Sequence, residues 1–303
     1  MSTIDGFSTC TLDNGRLAVV AVPELGGRLV SLRSAGGREW FDHPGDELRL
    51  WRNRPGDAFG TSTHAGLDEC LPTVGACTMA GRALPDHGSC WAVPWQVLSA
   101  SAQTLRLAVD LPDQPLRLER TATLDGTALR LDYLLKNTGT APVPWGWAFH
   151  GLLTLRPGDR IELPAEALSM GVECQRLAQP LDAPTWAWPS PRPDLHLDRA
   201  DLGGDDAYTK LFTPRLKTGR AALVGADGQR LDFTWDTAES PWLGLWITRG
   251  GYRGQHGVAL EPTTTPCDRL DQAGAAVRWL APGEQATWSV RLDTTVPPTA
   301  APR

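Results

Sequence analysis

The chain lacks the features of a membrane-spanning, secreted or nucleic-acid-binding protein. No stretch approaches the ~18 consecutive apolar residues of a membrane-spanning helix, and residues 1–12 show no basic region followed by an apolar run. Six cysteines are too few and too dispersed for a disulfide framework in 303 residues. The formal net charge is −6, and the 29 Lys and Arg residues form no basic stripe. We therefore expect a reduced, cytoplasmic protein that binds neither membranes nor nucleic acid.

Helical periodicity and the common nucleotide-binding motifs are also missing. With 31 Gly and 25 Pro, few windows could hold a helix longer than two turns. Without crossover helices, a doubly wound α/β fold is excluded. The sequence has no G-x-x-x-x-G-K-[ST] phosphate loop, no G-x-G-x-x-G after a strand and no G-x-S-x-G nucleophile elbow. An active site must therefore be assembled from dispersed polar residues.

Period-two alternation of apolar and polar residues dominates the chain instead. It runs through residues 116–119 and returns in residues 129–133, with Asp125 and Gly126 between them. An Asp-Gly pair between two alternating runs predicts a β-hairpin, because glycine adopts positive φ without steric cost. The same turn chemistry occurs at Asn14-Gly15 and Asp227-Gly228. Many short strands with frequent turns predict an all-β sandwich or barrel.

The length and the absence of a linker predict one domain. Antiparallel β architectures of this size often form a single unit, so we expect one domain over residues 1–293. Residues 294–303 are rich in Pro and Ala and are expected to form a flexible tail. Two segments with little alternation, residues 42–90 and 179–206, are the expected long loops, where binding groups tend to lie.

Tryptophan is unusually frequent, with 13 Trp against three Tyr and six Phe. Most of them must fill the core, since each buries a large area. One or two could line a pocket in which the indole face packs against the C–H face of a sugar.

Three segments place an ionisable residue in a setting suited to chemistry. His87 lies in residues 85–91, His150 ends the apolar run that begins at Trp145, and Glu261 follows a run of apolar residues and precedes Pro262. A strand of this kind delivers one titratable group to a pocket with hydrophobic walls. Such walls shift pKa values toward neutrality, where acid–base catalysis works best.

Five segments, taken in order, resemble the galactose-mutarotase-like, or aldose 1-epimerase, superfamily. They are residues 23–32, residues 65–72, Asp86-His87-Gly88, His150 and Leu260-Glu261-Pro262. The resemblance covers nearly the whole chain. It implies a large antiparallel β-sandwich, the galactose mutarotase-like supersandwich, that interconverts the α and β anomers of a hexose or modified hexose. It also implies that no metal or organic cofactor is needed, that the partner is a small-molecule sugar, and that the protein is a monomer or homodimer.

The resemblance assigns a role to each candidate catalytic residue. Glu261 would be the general base that takes the proton from the anomeric hydroxyl, and His150 the general acid that protonates the ring oxygen. The ring opens, the aldehyde turns about C1–C2, and the ring recloses on the other face. His87 would bind or polarise the same region. A correctly placed acid or base typically contributes on the order of 10²–10⁴-fold.

The substrate-binding residues are less defined, because the Asn-Arg pair and the tyrosine-containing segment of the galactose-specific members are missing after His150. Asp68 could face the ligand, and Lys210 could meet an anionic substituent. The resemblance implies that an aspartate before Tyr208 contacts a sugar hydroxyl. The candidates are Arg28 (with Arg52 and Arg54 as alternatives), Asp68, Asp206 (with Asp205 as alternative) and Lys210.

Each candidate also has a purely structural interpretation. His87 could cap a turn, His150 could be a hydrogen-bonded core histidine, and Asp68 with Glu69 could form loop salt bridges. Glu261 is the firmest, since a buried carboxylate is costly without a reason. A zinc site is a minor alternative, because no C-x-x-C pair is present and the spacings fit no common finger. Its candidate ligands are His64, Cys70, Cys77, His87 and Cys90.

Two other functions compete with the epimerase. The fold could serve as a sugar-binding sensor without turnover, although a matched acid and base would then be unnecessary. A glycoside hydrolase usually needs two carboxylates ~5–10 Å apart across the scissile bond, and the sequence offers a convincing setting for Glu261 alone.

Overall fold

The structure is a computed structural model, and it describes residues 2–43 and 48–296. Most of the predicted tail, from residue 297 onward, lies outside the described residues, and the last strand extends to Thr295. The strands, in chain order, are β1 Thr3–Ile4, β2 Phe7–Ser8, β3 Cys10–Asp13, β4 Leu17–Val22, β5 Arg28–Ser34, β6 Leu67–Cys70, β7 Cys77–Met79, β8 Arg82–Leu84, β9 Gln96–Ala100, β10 Thr104–Asp110, β11 Leu116–Asp125, β12 Ala128–Asn137, β13 Val143–Trp145, β14 Ala148–Thr154, β15 Arg160–Glu162, β16 Ser169–Arg176, β17 Thr185–Ala187, β18 Ala207–Phe212, β19 Arg220–Val224, β20 Arg230–Trp235, β21 Trp242–Arg249, β22 His256–Thr263, β23 Arg278–Leu280 and β24 Gln285–Thr295.

Helix is confined, among the described residues, to five 3₁₀ turns of three residues each. They are Phe59–Thr61, Cys90–Ala92, Leu197–Arg199, Leu270–Gln272 and Gly274–Ala276. The described part of the chain therefore contains no helix that is long and apolar enough to cross a membrane. The prediction of an all-β protein is confirmed.

Two large antiparallel sheets form the sandwich. One has ten strands in the order β17-β16-β18-β21-β22-β14-β6-β5-β4-β3, and the other has eight in the order β15-β19-β20-β24-β12-β11-β10-β9. The predicted hairpins are present: β11 and β12 pair across Asp125 and Gly126, and β19 and β20 across Asp227 and Gly228. Gly126 has φ +61°, the left-handed conformation for which glycine is suited.

The core lies between the two sheets and carries much of the tryptophan. Phe149 of the ten-stranded sheet meets Phe233 of the eight-stranded sheet edge to face, with ring centroids 5.7 Å apart. The ring centroids of Trp147 and Trp288 are 5.1 Å apart, and Trp288 stacks on Tyr133. These rings are buried and bring large apolar areas together, which is the main stabilisation available to such a fold.

Alternation along three central strands of the ten-stranded sheet separates core residues from site residues. β14 lies between β22 and β6. On β14, Phe149 faces the core while the next residue, His150, faces the other side of the sheet, because successive side chains point to opposite faces. On β6, Glu69 bonds core residues, so its neighbour Asp68 lies on the same side as its cross-strand partner His150. The outer face of these strands therefore supports the site.

Candidate functional site

His150 and Glu261 lie on neighbouring strands. The register of β14 and β22 pairs Ala148 with Thr263 and Leu152 with Ala259, and this constant register brings His150 opposite Glu261. Side chains opposite each other in an antiparallel pair lie on the same face of the sheet. The two residues predicted to act as acid and base are thus on the same side of one sheet.

A pocket with a cavity volume of about 120 Å³ lies above these strands and opens to solvent. Three histidines line it, together with the aromatic rings of Phe59, Trp246 and Tyr252. Its other polar lining residues include Lys210, Gln255 and Asp268.

Glu261 is not among the residues that line this pocket, but it is joined to the lining through an ion pair with Lys210. The Lys210 Nζ donates to Oε2 of Glu261, and both side chains are buried. Burial raises the pKa of Glu261, and the positive charge of Lys210 opposes that rise without cancelling it. Burial alone would lower the pKa of Lys210, but the charges of Glu261 and Asp268 outweigh it and the pKa is raised. The two groups therefore hold each other in the charged state.

The second carboxylate oxygen of Glu261 has no partner among the described residues. Oε1 is buried and makes no hydrogen bond, although a buried polar atom normally has one. Because the other oxygen is held by Lys210, Oε1 is the carboxylate oxygen that the described residues leave without a donor.

Gly244 makes the Lys210–Glu261 pair possible. Lys210 lies on β18 and Glu261 on β22, with β21 between them. Gly244 of β21 is the cross-strand partner of Glu261. A Cβ at this glycine would come within 3.2 Å of the Glu261 Oε2 and 3.3 Å of the Lys210 Cε. The missing side chain leaves room for the ion pair to reach across the strand.

The imidazole of His150 is buried and uncharged. Burial, reinforced by the nearby positive charge of His87 and Lys210, lowers the pKa of His150 well below its ordinary value. Its Nδ1 is buried without a hydrogen-bond partner among the described residues. The ring meets Phe59 and His87 edge to face, at centroid distances of 5.1 and 5.0 Å.

His87 is fixed by a carboxylate and by an aromatic ring. Its Nδ1 lies 2.8 Å from Oδ1 of Asp86, whose Oδ2 accepts a hydrogen bond from the Phe59 backbone N–H at 3.0 Å. The imidazole stacks on Phe59 with centroids 3.8 Å apart and planes 8° from parallel. Burial raises the pKa of Asp86, but the hydrogen bond and charge of His87 outweigh this, so the pKa is lowered. Asp86 is therefore ionised, and its contact with Nδ1 fixes the orientation of the His87 imidazole.

The remaining predicted binding residues are placed differently from one another. Asp68 is buried and bonds Arg28 at 2.7 Å, and burial raises its pKa to about 6. Arg28 also donates to the carbonyl of Ala65 at 2.8 Å. This pair lies beside His150 on β6 but is not part of the pocket lining. Asp206 is exposed, bonds Arg176 at 2.5 Å and is outside the lining.

The alternative candidates also lie away from the pocket lining. Arg52 bonds Glu24 at 2.8 Å with both side chains largely exposed, and Asp205 lies 3.9 Å from Arg249 on the surface. Arg54 is likewise exposed. Of the predicted binding residues, Lys210 is the one that the structure places in the pocket lining, and there it contacts Glu261.

Several lining residues carry no sequence motif that could identify them. Phe59 belongs to the first predicted loop and packs against His87, His150 and His64. His64 has positive φ, and its buried Nε2 has no hydrogen-bond partner in the described part of the chain. Burial, together with the charge of Arg253, lowers the pKa of His64 to about 3. Only the abundance of histidine in residues 42–90 hinted at its role.

Glu69, the sequence neighbour of Asp68, belongs to the core instead of the site. Its Oε1 accepts hydrogen bonds from Arg120 at 2.9 Å and from the Tyr133 hydroxyl at 2.8 Å. Its Oε2 accepts one from the Trp147 indole at 2.9 Å. Burial raises the pKa of Glu69, and Arg120 with the other donors opposes the rise. Both oxygens are satisfied, so this residue has a structural role.

The predicted zinc ligands do not gather as one set. Cys90 donates to the Glu69 carbonyl and Cys77 lies beside Thr73. In the described part of the chain, the group able to hold a metal ion combines Cys70, His87 and His150, with one ligand atom of each within 4.8 Å of the others.

Comparison with known proteins identifies relatives of this fold. A family model described as aldose 1-epimerase matches residues 8–293. The crystal structure of the Slr1438 protein from Synechocystis has a TM-score of 0.73 at 18% identity, covering 97% of this chain and 99% of that one. A galactose mutarotase-like protein from Clostridium acetobutylicum has a TM-score of 0.72 at 12% identity, with 97% of each chain covered. One from Lactobacillus casei has a TM-score of 0.65 at 16% identity, covering 95% of this chain and all of the other. No curated protein sequence matches the chain.

Proposed function

Since the chain belongs to the aldose 1-epimerase family, we propose that it interconverts the α and β anomers of an aldohexose by acid–base ring opening and reclosure. The observation that carries the proposal is the Oε1 of Glu261, which has no hydrogen-bond partner among the described residues and is buried beside a pocket that three imidazoles line. A binding protein needs no proton acceptor held in this way, whereas ring opening requires one.

Glu261 is the base in this mechanism. Its Oε1 takes the proton from the anomeric hydroxyl, while Lys210 keeps the other oxygen in place and lowers the cost of the buried charge. A raised pKa makes the carboxylate a stronger base than an exposed glutamate, as long as it remains ionised at the working pH.

The imidazoles of His87 and His150 divide the tasks of the general acid between them. His150 was assigned as the acid from the sequence, and this assignment stays a prediction. A neutral imidazole can hold the ring oxygen by donating an N–H, but full proton transfer requires an imidazolium. His87 has the carboxylate of Asp86 to stabilise that charge. We therefore assign the transferable proton to the His87–Asp86 pair and the orientation of the ring oxygen to His150.

The substrate is an uncharged aldose. Lys210 and Asp268 are the charged side chains among the described lining residues, and Lys210 is already paired with Glu261. A phosphate or sulfonate would have to break that pair. The face of Trp246, half-buried in the lining, offers a surface for the C–H groups of a pyranose.

Exchange NMR on a panel of free and phosphorylated aldoses tests the proposal. The wild-type protein should accelerate exchange between the anomers of an uncharged aldohexose. Glu261→Gln should lower this rate by on the order of 10²–10⁴-fold while sugar affinity stays within a few-fold, because the amide keeps the shape but cannot take the proton. Full activity in Glu261→Gln would contradict the mechanism.

Substitution separates the two imidazoles. His87→Asn should lower the rate by on the order of 10²–10⁴-fold, because it removes the group that transfers the proton. His150→Asn should lower the rate by less, because it removes only a hydrogen bond to the ring oxygen. Sugar binding without faster exchange by the wild-type protein would instead support a sensor, and release of a chromogenic aglycone would support a hydrolase.

A further inference from the structure

Cys70, His87 and His150 form a triangle at the base of the pocket. One ligand atom from each lies within 4.8 Å of the other two. In a tetrahedral zinc site, with Zn–S about 2.3 Å and Zn–N about 2.0 Å, such atoms are roughly 3.3–3.5 Å apart. Side-chain rotations that move each atom by about 1 Å would therefore close the triangle around one ion.

The hydrogen bonds of His87 match those of a metal-binding histidine. Its Nδ1 is engaged by Asp86, and Asp86 is itself held by the Phe59 backbone. Metal-ligating histidines almost always use one ring nitrogen for a carboxylate or carbonyl and the other for the ion. The Asp86 contact thus leaves Nε2 of His87 as the coordinating atom and orients it in advance.

Among the described residues, no hydrogen bond to Nδ1 of His150 or to the thiol of Cys70 competes with an ion. His150 is more than nine-tenths buried, and its Nδ1 makes no hydrogen bond among the described residues. Cys70 is fully buried and free of disulfides. Buried donors and acceptors without partners are rare, and a missing ion is one of their ordinary explanations.

The charge around the triangle tolerates a cation. Besides the imidazoles of His87 and His64, the positive groups that act on His150 are Lys210 and Arg28. Each of these two is already paired with a buried carboxylate, Glu261 and Asp68 respectively. On binding, the thiol of Cys70 would lose its proton to solvent and become a thiolate, which cancels one of the two charges of the ion. A soft thiolate with two imidazoles favours Zn²⁺ over Mg²⁺ or Ca²⁺.

We propose that Cys70, His87 and His150 form a binding site for Zn²⁺ or a similar borderline-soft divalent cation, with the fourth position open to the pocket. Three protein ligands and one open position are the arrangement of zinc sites that remain accessible to small molecules. An ion held there occupies both imidazoles that the proposed epimerase uses, so it would inhibit anomer exchange. That last consequence rests on the proposed function, whereas the site itself does not.

Titration of the metal-free protein with Co²⁺ in the absence of sugar tests the site. We expect one equivalent to bind, with the intense d–d absorption of a tetrahedral ion and a thiolate-to-cobalt charge-transfer band. Cys70→Ala should abolish the charge-transfer band and weaken binding by about 100-fold or more, since loss of an outer-shell partner alone costs about 10–100-fold. Added Zn²⁺ should displace the cobalt and remove both bands.

Cys174→Ala is the matched control, because Cys174 also lines the pocket but is outside the triangle. It should leave the spectrum unchanged. His87→Asn, which changes a side chain that is only partly buried, should remove tetrahedral binding even if Cys70→Ala fails to fold. A spectrum without the charge-transfer band in the wild-type protein would overturn the proposal, as would a band that is lost in Cys174→Ala and kept in Cys70→Ala. Neither result depends on whether the protein turns over a sugar.

Discussion

Two fully buried glutamates lie on two strands of the same sheet, separated only by β14, and their surroundings differ in one respect. Glu69 has a donor for each of its oxygens, from Arg120, Tyr133 and Trp147. Glu261 has one donor, Lys210, and an oxygen that bonds nothing among the described residues. We call Glu69, which has a donor for each oxygen, the closed glutamate, and Glu261, which has one oxygen without a donor among the described residues, the open glutamate.

The difference shows how burial alone fails to separate structural from functional carboxylates. Both groups have a pKa that burial raises and a cation opposes. A satisfied buried charge fixes the position of neighbouring chains, whereas an incompletely satisfied one retains the capacity to bind or to take a proton. Whether each carboxylate oxygen has a hydrogen-bond donor therefore indicates the role of a buried glutamate better than the direction of its pKa shift does.

The largest expected effect comes from replacing each glutamate by glutamine and measuring stability. In Glu69→Gln the amide NH₂ must face either the Trp147 indole or the Arg120 and Tyr133 donors, so at least one donor loses its acceptor. We expect a loss of about 3 kcal/mol or more in the free energy of unfolding, as for other broken buried pairs. Urea denaturation measures it.

Glu261→Gln is the matched variant for that measurement. Its amide oxygen can still accept from Lys210, and the amide NH₂ replaces the unpartnered oxygen on the pocket side. We expect a smaller loss in the free energy of unfolding than in Glu69→Gln, because Lys210 keeps an acceptor and still has Asp268 as a counter-charge at 3.8 Å, while activity is lost. Equal destabilisation of the two variants would remove the distinction drawn between the closed and open glutamates.

Much of this fold could be predicted from the sequence, because period-two alternation and Asp-Gly turns are local features. The hairpin at Gly126 needs no tertiary information. Glu261, His150 and His87 were identified through a family resemblance combined with apolar flanks. In the structure His87 and His150 line the pocket, and Glu261 pairs with the lining residue Lys210. That much follows from residues that carry their own motif.

The partners of these residues could not be predicted, because they depend on register between distant strands. Lys210 was expected to meet an anionic substituent, and instead it pairs with Glu261 across a strand that has a glycine at the crossing. Glu69 and Asp68 are adjacent in the sequence but face opposite sides of the sheet, and only the paired strands show which one reaches the core. Asp206 was chosen through the family resemblance, as an aspartate before Tyr208, and its side chain is on the surface.

Removing the single donor of Glu261 should displace the pH dependence of activity. In Lys210→Met the charge that opposes the raised pKa of Glu261 is gone, so this pKa rises further. Because only the ionised carboxylate accepts the proton, the acid limb of the rate profile should move to higher pH. Once the limb has passed neutrality, the rate at pH 7 should fall about tenfold for every further pH unit that the limb moves.

Lys210→Arg provides the control, since the guanidinium retains the charge. It should restore much of the acid limb to its wild-type position, although the geometry of an arginine differs. An acid limb at the same pH in the wild-type, Met and Arg proteins would show that Lys210 does not set the state of the base.

A smaller effect concerns stability in acid. The pKa of His64 is about 3 in the folded protein, against about 6.5 for an unperturbed histidine. As pH falls from about 6.5 toward 3, the unfolded chain takes up this proton first, so the free energy of unfolding should fall by about 1 kcal/mol per pH unit. The contribution vanishes above that window and reaches its limit below it.

His64→Gln should flatten this dependence, as followed by denaturant unfolding at several pH values. The exposed His256 serves as the control position, and His256→Gln should retain the wild-type slope. Comparing variants cancels the opposing contribution of Asp68, whose pKa of about 6 makes the folded state gain stability as pH falls below that value. A slope unchanged in His64→Gln would mean that His64 is protonated in the folded state.

The smallest effect is expected from adding a side chain at Gly244, the glycine across which Lys210 reaches Glu261. In Gly244→Ala the new Cβ would lie 3.2 Å from the Glu261 Oε2 and 3.3 Å from the Lys210 Cε. The flexible lysine can yield by a few tenths of an ångström, so we expect a loss of about 1 kcal/mol in stability. The acid limb of the rate profile should shift in the same direction as in Lys210→Met, but by less. Gly171→Ala, whose Cβ would meet only the Phe212 carbonyl oxygen at 3.7 Å, should change neither property. If Gly244→Ala lowers stability and leaves the acid limb in place, the glycine serves packing alone, and the link between the strand crossing and the state of Glu261 is lost.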